Sequence, residues 1–100
     1  MRHIILPSHR FQKTLQRFSK SGRKHVIEAA AEVIDLLAIH DTRSLYMLRI
    51  RWRDHELKGN KKGIRELHLG QDVLLLYEID AEQRIIKLLD IVSHEELKKQ

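Results

Sequence analysis

The chain has 100 residues, 42% of them hydrophobic and none of them cysteine, which bounds it to one small domain, residues 1–100, with a single core and excludes disulfides, thiolate nucleophiles and thiolate metal sites. No run of eighteen apolar residues occurs and the N-terminal apolar run is too short for a signal peptide, so no membrane partner is expected and a cytoplasmic location fits. The net charge of +5 is uneven, with eleven Lys/Arg against four Asp/Glu up to Arg53 and eight against ten beyond it, and favours an anionic partner, either nucleic acid or an acidic protein.

In chain order, Arg2 to Leu6 reads as a first strand, stopped by Pro7. Ser8 is a good N-cap for a helix in which Phe11, Leu15 and Phe18 recur at i, i+4, i+7, with Arg10, Lys13, Arg17 and Lys20 as a basic edge. Ser19 to Gly22 breaks the pattern. A longer helix follows from about Arg23 to Ile39, with Val26, Ala30, Val33 and Leu37 on its apolar side. Two successive amphipathic helices with a short link predict a hairpin lying on a sheet.

His40 to Ser44 reads as a loop. From Leu45 to Trp52, apolar residues alternate with Arg49, Arg51 and Arg53, the period of a strand or extended segment whose arginines face outward. Those arginines are candidates for phosphate or partner contact, and Trp52 is a candidate for base stacking, although a lone tryptophan belongs more often to a core.

Lys58 to Gly63 is a turn-rich basic loop. Three strands follow as a meander: Ile64–Leu69, with Ile64, Glu66 and His68 on one face; Asp72–Ile79, nearly all apolar and so covered on both faces; and Arg84–Val92. Ser93 is placed to cap a short helix from His94 to Lys99. The fold class is α+β: an N-terminal strand and a two-helix hairpin packed on an antiparallel meander, with a short C-terminal helix.

The residue types between His55 and His94 suit metal-free RNA cleavage. A base must take the proton of the 2′-hydroxyl, an acid must protonate the leaving 5′-oxygen, and cations must offset charge developing at phosphorus. Histidine serves as base or acid near neutrality. The candidates are His55, His68, Asp72 and His94, with Lys58, Lys61, Lys62 and Arg65 as phosphate-binding cations. His3, His9, His25 and His40 are read as structural. No HxH, HxxxH or HExxH spacing is present, so no metal and no small-molecule cofactor is expected.

Four short motifs carry a family resemblance: Asp-His-x-Leu-x-Gly from Asp54 to Gly59, Lys-Gly-x-Arg-Glu-x-His from Lys62 to His68, Asp-x-x-Leu-x-Tyr from Asp72 to Tyr77, and Ser93-His94. In this order and spacing they resemble the YafQ-like branch of the RelE/ParE toxin superfamily, the toxins of type II toxin–antitoxin pairs. The resemblance implies a ribosome-dependent mRNA endonuclease that cuts the codon in the A site without metal. It also implies a cognate antitoxin protein, ribosome and mRNA as partners. It places His55, His68, Asp72 and His94 in the catalytic set, with His68 and His94 for proton transfer and Asp72 for orienting a histidine or taking a proton. His55 is left for positioning phosphate or moving a proton. The pattern is broken at Asp90, where the family carries an arginine, at Val73, where an aromatic is usual, and at Leu97-Lys98, near the usual terminal aromatic. Two other readings stay open: a toxin-fold protein without cleavage activity that binds antitoxin or ribosome, and a ParE-like gyrase inhibitor.

Overall fold

The structure, a computed structural model, describes residues 2–61 and 63–98. Strand β1 (Ile4–Pro7) leads into α1 (His9–Lys20), α2 (Lys24–Ile39) and α3 (Thr42–Arg51). Strands β2 (His55–Glu56), β3 (Arg65–His68), β4 (Leu74–Asp80) and β5 (Ile85–Val92) follow, then α4 (His94–Lys98), with a 3-10 turn at Gly59–Lys61 between β2 and β3. The sheet order is β1-β5-β4-β3-β2.

The meander is antiparallel as expected, but β1 joins it parallel to β5, so the whole sheet is mixed. Pro7 closes β1 opposite Leu88, at the edge of the sheet, where a missing N–H interrupts no second ladder. Ser8 then caps α1: its Oγ accepts from the Phe11 amide and donates to the Leu89 carbonyl, fastening the helix start to β5.

The largest departure from expectation is α3. Residues 42–51 are helical, not extended, so three helices rather than two precede the meander. The local cause is a reciprocal capping box: Asp41 Oδ1 accepts from the Ser44 amide at 2.7 Å, and Ser44 Oγ accepts from the Asp41 amide at 2.8 Å. Ser44 and Leu48 are buried on this helix, and Trp52, its C-cap, continues the same i, i+4 line. The two-residue alternation of arginines therefore does not form an outward row. Trp52 is buried in the core, which removes it from base stacking.

Alternation along the strands sorts side chains onto two faces. Leu67, Leu75, Tyr77, Ile86 and Leu88 pack against Phe11, Val26, Ala30, Val33 and Leu37 of the helices to make the main core. On the other face Leu74, Leu76 and Val92 form a smaller cluster, covered by Leu57, Ile64, Leu89 and Leu97. Strand β4 is thus buried on both sides without a second helical layer. The residues after the last apolar run return on this second face.

Candidate active site

The site is built around the pairing of β2 with β3. The turn between them reverses through Gly59 (φ 75°) and Gly63 (φ 94°), a left-handed backbone that other residues adopt only with strain. It closes where the Leu57 amide donates to the Ile64 carbonyl at 2.8 Å. His55 then stands directly across from Glu66, and His68 lies two residues further along the same face of β3. At the other end, the His68 amide donates to the Trp52 carbonyl at 2.8 Å, tying β3 to the end of α3.

His94 arrives from the far side. Ser93 and Glu96 form a second capping box at the start of α4, and the Asp72 carboxylate accepts from both the His94 amide (3.1 Å) and the His94 ring Nδ1 (2.9 Å). The three imidazoles form a row, with ring centres 6.0 Å apart between His55 and His68 and 5.5 Å apart between His68 and His94. The four residues named from the sequence as catalytic candidates thus converge.

The electrostatics differ along the row. Asp72 is held below its ordinary 3.8 by the hydrogen bonds from His94. Because that carboxylate accepts at Nδ1, the proton of a neutral His94 ring sits there and Nε2 keeps its lone pair. Burial pushes the His68 imidazole below 6.5, opposed by the Glu66 carboxylate and aided by the charges of His94, Arg53 and His55. The net effect favours the neutral form of His68.

Glu66 was not among the sequence candidates. Its side chain is 7% exposed; Oε1 lies 2.9 Å from His55 Nε2 and 3.5 Å from His68 Nε2, while Oε2 is buried and has no hydrogen-bond partner. The available signal was its place on the same strand face as His68.

Of the expected phosphate-binding cations, Arg65 turns away from the row. Arg65 lies on the helix-covered side of β3, where its guanidinium donates to Asp54 (3.0 Å and 3.3 Å) and to the Tyr77 hydroxyl (3.2 Å), and Tyr77 donates to Asp54. These bonds raise the Arg65 pKa although burial works against its charge. Lys58 is exposed in the turn and Lys61 is half-buried there; Lys62 lies outside the described residues. Asp90, where the resemblance leads to the expectation of an arginine, accepts from Thr14 Oγ1 (3.0 Å) and the Ile91 amide (2.8 Å) and faces Arg10. The cation whose charge reaches His68 is Arg53, exposed at a positive φ of 53° just after α3. Beside Asp72 a cleft of about 480 Å³ opens between α1 and β5, with Arg17, Phe18 and Arg23 on one wall and Ile91 and Ser93 on the other.

A mixed sheet of this order with helices on one face is shared with solved toxin structures. Archaeal RelE from Pyrococcus horikoshii, solved with RelB, shares the fold with a TM-score of 0.69 at 19% identity, over 93% of this chain and 96% of that one. YafQ in the Escherichia coli DinJ–YafQ toxin–antitoxin complex does so at 0.76 and 21%, over 97% and 98%. A metal-bound toxin from Helicobacter pylori is 33% identical over 95% of this chain and 98% of that one, with a TM-score of 0.78. The chain matches the model of the bacterial toxins of type II toxin–antitoxin systems, YafQ, over residues 4–99, and it belongs to that family. A search of curated protein sequences finds no significant match. Among the described residues no helix is long and apolar enough to cross a membrane.

Proposed function

We propose that this toxin is a ribosome-dependent mRNA endonuclease that works in the cytoplasm without a metal cofactor. The observation that carries the reading is the Asp72–His94 pair, whose imidazole lies 5.5 Å, ring centre to ring centre, from that of His68. In the proposed reaction the 2′-hydroxyl gives its proton to His68, and its oxygen attacks the adjacent phosphorus. The bond to the 5′-oxygen breaks, and that oxygen takes a proton from Nε2 of a protonated His94. The products are a 2′,3′-cyclic phosphate and a free 5′-hydroxyl. Asp72 keeps the His94 ring oriented and balances its charge through the cycle.

Arg53 and Lys58 supply positive charge on the open side, and His55 helps hold the phosphate. With Asp90 committed to α1 and Arg65 to Asp54 and Tyr77, Arg53 takes the place of the missing arginine. The cleft beside Asp72 accommodates a neighbouring nucleotide against Phe18, with Arg17 and Arg23 toward its phosphate. A cognate antitoxin, as DinJ is for YafQ, binds the chain and holds it inactive.

Expression in a growing cell followed by mapping of mRNA 5′ ends tests this. Codon-phased cuts that disappear in His94→Ala, with the variant still folded, are the expected result. Growth arrest without cuts, or harmless expression of the wild type, sinks the nuclease and leaves a binding protein, the reading favoured by the carboxylate at Asp90.

A further inference from the structure

Glu66 presents an electrostatic problem that the cleavage chemistry does not resolve. Its carboxylate is almost fully buried, its Oε2 has no partner, and its Oε1 faces two imidazole nitrogens. The His55 Nδ1 lies 2.8 Å from the Arg53 carbonyl, which can only accept, so Nδ1 is the donor. In a neutral His55 ring the lone pair is then on Nε2, pointed at a carboxylate oxygen 2.9 Å away. Two acceptors at that distance need either a proton or a metal ion between them, and a metal ion is the one that can also engage the His68 nitrogen 3.5 Å away.

We propose that His55, Glu66 and His68 form a site for a divalent transition-metal ion of the zinc type, and that its occupation switches the toxin off. One ligand atom from each residue lies within 4.8 Å of the other two, with separations of 2.9 Å and 3.5 Å to Glu66 Oε1. Ligands held at about 2.0–2.2 Å in a tetrahedron stand roughly 3.3–3.5 Å apart, so the ion needs only small ring movements. Imidazole and carboxylate are the donors such ions prefer, and the bond from His55 Nδ1–H to a backbone carbonyl is the outer support that orients metal-bound histidines. Two protein nitrogens and one oxygen leave a fourth position open toward solvent. An imidazole whose Nε2 holds a metal cannot accept a proton, so a loaded site is a closed catalytic row. Local spacing in the sequence shows nothing of this, because the ligands meet through strand pairing across eleven and thirteen residues.

The inhibitory half depends on the cleavage proposed above; metal binding itself does not. Zinc chloride titrated calorimetrically into the whole protein, without antitoxin or RNA, is expected to give one site of micromolar affinity. Glu66→Gln and, at an exposed position that leaves folding untouched, His55→Gln should each weaken it by about tenfold or more. Wild-type affinity in His55→Gln, or no binding by the wild type, overturns the site. In a ribosome cleavage assay, zinc should slow the wild type and EDTA should restore it. Zinc bound at His55 with cleavage undiminished overturns the switch while leaving the site. Absence of cleavage under all conditions counts against the nuclease and not against the titration.

Discussion

Arg65 and Glu66 are neighbours on β3, yet they occupy opposite electrostatic worlds. Arg65 points toward the helices, where Asp54 and Tyr77 accept from its guanidinium. Glu66 points to the open face, buried like a core residue, with one oxygen orphaned and the other shared between two histidines. On the helix-covered face the Asp54–Arg65–Tyr77 network ties the sheet to the end of α3, and the Trp52 Nε1 is the group left there without a partner among the described residues. The open face leaves its groups under-satisfied and so able to engage something else. A single-residue register decides which side chain goes to which task.

The sharpest way to separate the faces is to remove one group from each. His68→Ala should lower cleavage by about 10²- to 10⁴-fold, the span of a lost acid–base group, with little change in the midpoint of urea unfolding. On the other face, Asp54→Ala takes the carboxylate away from a half-buried Arg65 and from the hydroxyl of a buried Tyr77. A loss of about 3 kcal/mol in unfolding free energy is expected, read by chemical denaturation, with cleavage per folded molecule retained. Equal losses of stability from the two substitutions would erase the distinction.

Glu66→Leu turns the comparison around. Replacing a poorly compensated buried carboxylate with an apolar group of similar size should raise stability by about 1 kcal/mol while abolishing zinc binding. A large destabilisation would mean that the Glu66–histidine contacts are structural. The smallest effect is expected at Asp72. A carboxylate whose pKa falls on folding contributes stability above its unfolded value and loses it as pH drops through the folded one, so for Asp72 that window lies below 3.8. NMR titration should place its midpoint below 3.8 in the wild type and nearer 3.8 in His94→Ala, the His94 amide bond remaining.

What was legible in the sequence followed physical rules that act locally. The α2 stripe of Val26, Ala30, Val33 and Leu37 is buried as its helical period requires, and Ser8 and Ser93 cap the helices they precede. The histidines and Asp72 were recognisable from their motifs, although what brings them together is long-range: the β2–β3 pairing and the Asp72–His94 bonds. Residues 42–51 misled because arginine and apolar residues alternate there by chance; the Asp41–Ser44 cap outweighs that pattern. Glu66 escaped notice because an acid on a strand is ordinary until the partner strand sets a histidine opposite it. Arg65 is close to His68 in sequence, yet strand alternation puts it on the other side of β3.

The parallel pairing of β1 with β5 joins residues 4–7 to residues 85–88. A nascent copy leaving the exit tunnel therefore has an unpaired first strand until residues 85–88 have emerged, and His94 follows later still. The row of imidazoles is thus assembled only after both edges of the sheet's longest-range pairing have been made, so the order of synthesis sets the order in which the site forms.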